Sequence, residues 1–444
     1  MRTNITTAIS ILLPVGLLSF ILLGCERDIT ELSPATYPTN PEVFIDGFSA
    51  GLNYAAFGGS VPTAFDVDND ITWNNSKASM KFEVPNENDP RGAYAGGTYF
   101  TEAPRDLSGY NALTFWAKAS QSASLDVVGF GNDLGESKYQ ATITGLSLTT
   151  GWQKYIIPLP DPSKLTAERG MFFYSTGPVD GKGYSFWIDE LKFEKLGTIA
   201  HPQYAILNGE DQTENTVIGA SKPIGGLTSI YNLPSGINQI VNAAPSYFEF
   251  STTNSSIATV DASGIVSIVG GPGNAEISAK VGDKTANGSL KIQSMGAFEH
   301  APTPTRDPAS VISVFSEAYE NVPVDYYNGY WAPYQTTLSA DFIVNGDRVL
   351  NYTNFNFVGT QISPPFINAA SMTHLHLDIY IPSTLPGNAP FRVELVDNAG
   401  GGSGAYTTTI LAAQSKQWIS LDIPLSGVTG RARNGDVAGF EHLF

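Results

Sequence analysis

A disulfide framework is excluded for this chain, because its 444 residues include a single cysteine and a disulfide within the chain needs two. The same shortage excludes zinc sites built on several cysteines. Charged residues are also scarce, at 15% of the chain, and 24 basic residues stand against 42 acidic ones, which leaves a formal net charge of −18. Nucleic-acid binding needs a basic footprint, so that class of function is excluded. A neutral ligand suits the chain better than an acidic polymer.

Long helices have no support in the sequence, since no segment keeps an apolar period of 3.6 residues for long. Instead, 44 Gly and 28 Pro residues interrupt the chain, and between such turn residues apolar and polar residues alternate as in an antiparallel β-sandwich. The clearest alternating runs are residues 43–45, 78–84, 113–117, 125–130, 153–157 and 185–193. The pattern predicts an all-β fold, and the length predicts about three domains.

The amino terminus has the pattern of a targeting segment. A short basic end precedes a nearly uninterrupted apolar stretch, residues 8–23, and the motif Leu22-Leu23-Gly24-Cys25 follows. This motif resembles the lipobox of bacterial lipoproteins. The resemblance implies a signal peptide over 1–24, lipidation of Cys25, a linker over 25–41 and anchoring at the outer-membrane surface of a gram-negative cell. The alternative is an uncleaved anchor helix with an incidental cysteine.

Two parts of the chain repeat one another. The stretch from Trp152 to Pro158 aligns with the stretch from Trp418 to Pro424, with Trp and Pro six positions apart in both. Three apolar positions upstream also align, namely Leu113, Phe115 and Ala117 with Leu375, Leu377 and Ile379. The repeat predicts two copies of one β-sandwich module, over residues 42–197 and 296–444. The second copy lacks a counterpart of the closing strand at 186–193, so we predict that it is truncated.

The outer modules resemble the calcium-supported jelly-roll carbohydrate-binding modules. The resemblance rests on residues 94–97, 111–118 and 315–319. It extends to modules found in surface lipoproteins and in family 16 glycoside hydrolases that act on laminarin and related β-glucans. It implies two jelly-roll domains that bind glycans without catalysis, and we therefore predict that the chain is not an enzyme.

The region between the two modules has a different texture. Residues 255–267 form two apolar runs around an Asp-x-x-Gly turn, and residues 271–279 form a Gly-rich turn that leads into another apolar run. Both segments resemble the bacterial Ig-like group 2 domain. The resemblance implies an Ig-like β-sandwich over residues 198–295 that acts as a spacer.

Aromatic residues are concentrated in one segment of the second module. Five of the eleven residues at 325–335 are Tyr or Trp, with Gly and Pro among them, which is typical of a loop with exposed rings. Sugars offer flat C–H faces that pack on such rings. We predict that Trp331, Tyr330 and Tyr334 bind a glycan. The alternative is that these rings pack under the loop.

Strand alternation selects candidate rings in the first module. If Leu113, Phe115 and Ala117 face the core, Trp116 faces outward and is a candidate sugar platform, unless a neighbouring loop covers it. A second candidate is Trp73, which lies in a polar stretch beside two asparagines. The other tryptophans at repeated positions are predicted to be structural, namely Trp152, Trp187 and Trp418.

Two acidic residues are candidates for a structural calcium site. Asp46 on the first strand and Asp189 on the last strand are brought together if a jelly roll closes in the antiparallel way, and the resemblance to calcium-supported modules implies calcium there. His374 and His376 lie two apart on one strand, a spacing that can chelate a metal. No third ligand is identifiable, and a polar outward face is the alternative.

These features together predict a surface lipoprotein that binds a neutral polysaccharide. The family resemblance implies a laminarin-type β-glucan as ligand, held for an outer-membrane importer and neighbouring glycoside hydrolases. One alternative is the noncatalytic front of a longer family 16-like glycoside hydrolase. Another is a structural or adhesive lipoprotein whose aromatic rings are all packed.

Overall fold

The protein is all-β, as the alternating pattern predicts. A computed structural model describes residues 36–329, 333–339, 342–344, 347–397, 402–428 and 440–443. These residues form 32 β-strands and six 3-10 helices of three residues each. The 3-10 helices span Pro162–Lys164, Leu207–Gly209, Pro245–Tyr247, Pro308–Ser310, Ala412–Gln414 and Leu425–Gly427. No helix in the described ranges has the length and apolar character needed to cross a bilayer.

The first domain is built from eleven strands in two antiparallel sheets. One sheet, which we call the platform sheet, has the order β3-β4-β11-β6-β9, with β1 added to β11; the opposing strands have the order β8-β7-β10-β5-β2. The strands are β1 (Glu42–Phe44), β2 (Leu52–Ala56), β3 (Phe65–Asp68), β4 (Ser79–Val84), β5 (Ala95–Arg105), β6 (Ala112–Ala119), β7 (Ala123–Phe130), β8 (Ala141–Leu148), β9 (Gln153–Pro158), β10 (Glu168–Thr176) and β11 (Tyr184–Glu194).

Alternate residues of these strands fill the space between the two sheets. Leu113, Phe115 and Ala117 of β6 are fully buried, and so is Phe186 of the neighbouring β11. The Phe186 ring stacks on that of Phe82 from β4, with ring centroids 4.6 Å apart. Each fully buried aromatic side chain of this kind stabilises the fold by roughly 1.5–3 kcal/mol. The inward residues therefore hold the platform sheet in place, and the residues between them point to its outer face.

The middle domain continues one sheet of the first domain. Three of its strands extend the opposing sheet in the order β12-β15-β16-β8, because Asn242 and Ala243 of β16 pair with Thr142 and Ala141 of β8. The strands are β12 (Ala200–Ala205), β13 (Asp211–Thr216), β14 (Ala220–Pro223), β15 (Thr228–Asn232), β16 (Asn238–Ala243), β17 (Glu249–Thr252), β18 (Ala258–Val260), β19 (Ile265–Ile268), β20 (Gly273–Val281), β21 (Lys284–Thr285) and β22 (Ser289–Ser294).

Tyrosine hydroxyls of the middle domain form hydrogen bonds to the backbone of the first domain at this junction. Tyr231 donates to the carbonyl oxygens of Leu159 and Pro160 at 3.0 and 3.1 Å, and Tyr204 also donates to Pro160, at 3.0 Å. A third hydroxyl, that of Tyr247, donates to the carbonyl of Tyr139 at 2.7 Å. One buried apolar cluster runs through both domains. The first two domains therefore share a sheet and a core, and the middle domain is a packed extension of the first.

The last region contains smaller sheets. Strands β24 and β25 join the middle domain beside β14, β28 pairs with β31, β23 pairs with β26, and β27, β32, β29 and β30 form a four-stranded sheet. The strands are β23 (Leu338–Ser339), β24 (Phe342–Val344), β25 (Asp347–Val349), β26 (Tyr352–Thr353), β27 (Thr360–Gln361), β28 (His374–Tyr380), β29 (Ala389–Asp397), β30 (Gly402–Ile410), β31 (Trp418–Pro424) and β32 (Phe440–Leu443).

The segments that repeat in the sequence pair in the same register. Strand β6 pairs with β9 in the first domain, and β28 pairs with β31 in the last region. The aligned pairs are Leu113 with Ile157 and Ala117 with Gln153 in the first, and Leu375 with Ile423 and Ile379 with Ile419 in the second. The Trp-to-Pro spacing is thus part of one strand arrangement that occurs twice in the chain.

Candidate functional site

Trp116 lies on the outer face of the platform sheet. Its neighbours in β6, Phe115 and Ala117, are buried in the core, so alternation turns the indole the other way. The ring is half-buried rather than fully exposed. A loop over residues 70–77 partly covers it.

This loop brings a second indole onto the first. The rings of Trp73 and Trp116 stack with centroids 3.7 Å apart and an interplanar angle of 15°. The ring of Trp152 lies 6.4 Å from that of Trp73 at an angle of 60°. All three side chains are half-buried. We call these three residues the tryptophan cluster.

Sequence reasoning treats Trp152 as structural and does not predict that its ring lies beside that of Trp73. A signal for it exists in the strand pattern. Lys154 of β9 pairs with Trp116 of β6, and Trp152 is two residues before Lys154, which places it on the same face of the sheet. The fourth tryptophan of the first domain, Trp187, is buried.

A buried carboxylate anchors the loop that carries Trp73. Asp189 Oδ2 accepts hydrogen bonds from the backbone N–H of Trp73 at 2.8 Å and from the hydroxyl of Ser76 at 2.6 Å. Asp189 Oδ1 accepts from the N–H of Glu190 at 2.8 Å. Burial raises the pKa of the Asp189 carboxyl, and these hydrogen bonds offset part of that effect. The loop position is therefore set from beneath by β11.

The loop itself is a tight turn. The N–H of Ser76 donates to the carbonyl of Trp73 at 2.8 Å, and the two residues between them, Asn74 and Asn75, have φ of 47° and 61°. Asparagine tolerates this left-handed conformation better than most residues. The Asn–Asn pair therefore favours the turn that presents Trp73, and both side chains are exposed beside the ring.

A second carboxylate supports the same loop. Asp68 Oδ1 accepts from the N–H groups of Asp70 and Ile71 at 2.8 and 3.1 Å, and its Oδ2 accepts from the indole N–H of Trp187 at 2.8 Å. Burial acts to raise the pKa of Asp68, but these hydrogen bonds outweigh it and hold the pKa below its ordinary value. The buried Trp187 is therefore a support for the loop.

Asp46 and Asp189, the predicted calcium ligands, meet at this loop. Asp46 accepts a hydrogen bond from the N–H of Lys77, next to the residues that Asp189 holds. Both carboxylates accept hydrogen bonds from N–H and O–H donors, whereas calcium requires six to eight oxygen ligands. Among the described residues, no group of three or more His, Cys, Asp or Glu side chains could hold a metal. The geometry explains both carboxylates as loop anchors without a cation, and structural calcium stays a prediction.

Four charged side chains near the cluster are paired with one another, whereas Lys118, two residues from Trp116 on the same face, lies over the Trp187 ring at 5.9 Å. Lys154 contacts Glu194 at 2.7 Å, and Lys192 contacts Glu190 at 3.2 Å and Glu194 at 3.4 Å. Exposed pairs of this kind add little stability. Their effect here is to leave no large excess of either sign next to the indoles, which suits an uncharged ligand.

Among the described residues, the matching strand pair of the last region, β28 and β31, has no such cluster. Alignment through the shared register places Asp378 where the first domain has Trp116. Asp378 accepts a hydrogen bond from Ser420, and His376 lies between Asp422 at 2.9 Å and Asp378 at 3.3 Å. Trp418, the counterpart of Trp152, packs against Phe298 with ring centroids 5.7 Å apart.

The remaining predicted residues divide between two outcomes. Tyr334 is 77% exposed, in keeping with a surface role. Tyr330 and Trp331 lie outside the described residues, and so does the predicted lipidation site Cys25.

Comparison with known proteins identifies the class of the first domain. Residues 46–195 match the family model of carbohydrate binding domain 30, and a search of curated proteins found no match. Several solved structures also match part of the chain, at low identity. The family 30 carbohydrate-binding module of the cellulosomal cellulase Cel9D-Cel44B of Clostridium thermocellum is 18% identical, with 36% of this chain and 96% of that module covered and a TM-score of 0.24.

Two further solved structures have similar scores. The family 11 carbohydrate-binding module of the cellulosomal cellulase Lic26A-Cel5E of Clostridium thermocellum is 14% identical, with 36% of this chain and 96% of that chain covered and a TM-score of 0.25. The β-1,2-glucanase of Parabacteroides distasonis is 10% identical, with 58% of this chain but only 39% of the enzyme covered and a TM-score of 0.26. The family match indicates that residues 46–195 are a carbohydrate-binding domain, a noncatalytic kind of domain, and the whole tryptophan cluster lies within it.

Proposed function

We propose that this chain is a cell-surface lipoprotein that binds a neutral polysaccharide through the tryptophan cluster of its first domain. The observation that carries the proposal is the stacked pair Trp73 and Trp116, with Trp152 beside it, on the outer face of a carbohydrate-binding domain. Indole faces are large apolar surfaces that suit the C–H faces of sugar rings. The stack leaves one face of each indole covered by the other, so sugars bind at the remaining faces and edges.

The surroundings of the cluster support a polar but uncharged ligand. The exposed amides of Asn74 and Asn75 can both donate and accept hydrogen bonds to sugar hydroxyls. Four of the charged side chains nearby, Lys154, Lys192, Glu190 and Glu194, are paired with one another, and the chain as a whole is acidic. Asp68 and Asp189 hold the loop before a ligand arrives, which reduces the ordering cost of binding.

The cellular setting completes the proposal. The lipobox at residues 22–25 supports lipidation of Cys25 and attachment to the outer membrane, so the chain captures glycan at the surface for an importer and for neighbouring glycoside hydrolases. A laminarin-type β-glucan is the proposed ligand. Labelling cells with a radioactive fatty acid tests the anchor: incorporation that is lost in Cys25→Ser supports it, and equal incorporation in both overturns it.

Affinity electrophoresis tests glycan binding directly. The whole chain is run in gels that contain laminarin, mixed-linkage β-glucan or agar. We expect at least one polymer to retard the chain, and we expect Trp73→Ala/Trp116→Ala to lose this retardation, a fall in affinity of about 100-fold or more.

Trp418→Ala is the matched control, because it removes an indole from the equivalent strand pair of the last region, β28 and β31. It should keep the retardation. Circular dichroism and thermal unfolding establish that each variant is folded. No retardation of the unaltered chain by any of the three polymers would refute the proposed function.

A further inference from the structure

A short ribbon in the last region has an inverted polarity. The ribbon consists of residues 334–339 and 352–357, joined where Leu338 of β23 pairs with Thr353 of β26. Tyr334 is 77% exposed and Leu338 is 56% exposed, whereas the intervening polar residues Gln335 and Thr337 are 4% and 1% exposed. A surface strand of a soluble domain normally buries its apolar residues and exposes its polar ones. Here the chain does the opposite.

The buried polar side chains are fully used in holding the ribbon together. The Thr337 hydroxyl donates to the carbonyl of Phe357 at 2.6 Å and accepts from the N–H of Asn356 at 3.0 Å. Gln335 donates to the side-chain oxygen of Asn328. Because these groups are satisfied, burying them costs the fold little. The inversion is therefore compatible with a stable structure, and it leaves apolar rings on the outside.

An asparagine fixes the exposed segment in place. The Asn356 side chain accepts from the N–H of Thr336 at 2.9 Å and donates to the carbonyl of Tyr334 at 2.9 Å. It thus takes the place of a neighbouring strand for this segment. On the second segment, Phe355 adds another ring that is 52% exposed. The exposed rings are consequently held on a preorganised backbone.

The chemistry of the ribbon favours a neutral ligand with apolar faces and hydroxyls. Residues 333–339 and 350–357 contain no charged side chain, although the whole chain has a net charge of −18. They offer the exposed rings of Tyr334 and Phe355 together with the exposed amide of Asn354. This is the combination that packs on sugar C–H faces and bonds to sugar hydroxyls.

We propose that this ribbon is a second saccharide-binding surface, which takes another segment of the same polysaccharide that the tryptophan cluster binds. The inference rests on the proposed function. Two linked contacts on one polymer raise its apparent affinity by up to about 10²–10⁴-fold without any new contact at either site. A short oligosaccharide fills only one surface at a time and gains nothing from the second.

The test compares a polymer with an oligosaccharide. The variant is Tyr334→Ala/Phe355→Ala in the whole chain, and the control is Ile237→Ala/Ile240→Ala, which removes two exposed apolar side chains from the middle domain. Affinity electrophoresis uses whichever of laminarin, mixed-linkage β-glucan and agar retards the unaltered chain. Calorimetry uses the hexasaccharide of that polymer.

We expect the ribbon variant to lose at least tenfold in affinity for the polymer, while the high-affinity calorimetric site for the hexasaccharide changes by less than twofold. The control should change neither value. Retardation that is equal in the ribbon variant and the unaltered chain, but lost in Trp73→Ala/Trp116→Ala, would overturn the second surface and leave the proposed function intact.

Two other results also count against the second surface. If no polymer retards the unaltered chain, the proposed function and the ribbon proposal both fail. If light scattering shows a dimer of the unaltered chain that the ribbon variant abolishes, the ribbon contacts a second copy of this chain instead. Thermal unfolding of the ribbon variant should match that of the unaltered chain, because the truncated side chains are exposed.

Discussion

The strand pair β6–β9 of the first domain and the strand pair β28–β31 of the last region have one register and two different outer faces. Inward positions are apolar in both, Phe115 in one and Leu377 in the other. Outward, the first has Trp116, whereas the second has Asp378 bonded to Ser420 and His376. The register is set by the residues that must be buried. The outer face is not under that constraint, so the first strand pair carries indoles of the tryptophan cluster, whereas the described residues of the second carry Asp378, Ser420 and His376 there.

The largest expected difference between the two strand pairs is the loss of stability on truncating an inward side chain. Phe115 is fully buried, so Phe115→Ala should lower the free energy of unfolding by about 4 kcal/mol. Leu377 is half-buried, and Leu377→Ala should cost about 1–2 kcal/mol. Urea unfolding of the whole chain measures both. Equal losses of unfolding free energy would show that the second strand pair is packed as tightly as the first.

The next prediction concerns the anchors of the two outer faces. Asp189→Ala removes the acceptor of three hydrogen bonds, which should cost about 3 kcal/mol and reduce glycan affinity at least tenfold, because the Trp73 loop loses its support. Asp422→Ala, on the other strand pair, should lower the free energy of unfolding by less than about 0.5 kcal/mol and leave glycan affinity unchanged. Urea unfolding and affinity electrophoresis measure both effects, and unchanged affinity in Asp189→Ala would argue against a positioned loop.

A buried carboxylate of the first domain should make that domain less stable at higher pH. Burial raises the pKa of Glu168 to about 7 from its ordinary 4.5. The folded state therefore holds this proton more tightly than the unfolded state, so stability from this group falls as pH rises from about 4.5 to about 7. Glu168→Gln keeps an oxygen for the N–H groups of Arg169 and Gly170 and should raise stability by at most about 3 kcal/mol at pH 8.

The same substitution should have little effect near pH 4, where Glu168 is protonated in both states. Thermal unfolding between pH 4 and 8 follows the difference between variant and unaltered chain. A difference that does not grow with pH would show that the pKa of Glu168 is the same in the folded and the unfolded protein.

The smallest expected effect is the pH dependence of stability that comes from His376 on the second strand pair. Partial burial acts to lower its pKa, but Asp422 and Asp378 outweigh this and hold the pKa above 6.5. The stability gained from this pairing is fully present below pH 6.5 and is lost as pH rises through the folded pKa. Proton NMR should show a lower His376 pKa in Asp378→Asn than in the unaltered chain. An identical pKa in both would mean that Asp378 does not interact with the ring.

Strand alternation was enough to predict the all-β fold and the outward position of Trp116. These depend on neighbours in the chain, and a period of two carries that information. The same reasoning treats Trp152 as structural and Asp189 as a calcium ligand, and it does not predict that the Trp152 ring lies beside that of Trp73 or that Asp189 holds the Trp73 loop. Asp189 contacts Trp73 across 116 positions of sequence, and no local pattern indicates such a contact.

The ribbon shows the same limit. Composition predicts exposed rings at 325–335, and Tyr334 is exposed, but alternation cannot say which of Tyr334 and Gln335 faces the solvent. The structure places the polar residue inside, where its amide donates to Asn328, while Asn356, from another segment of the chain, holds the backbone of the flanking residues Tyr334 and Thr336. By itself, the sequence determined which segments are strands and which apolar residues face inward, since both follow from local alternation and burial. Only the tertiary structure decided which outward residues meet, because the stacking of Trp73 on Trp116 and the anchoring of the loop by Asp189 depend on strands that pair far apart in the chain.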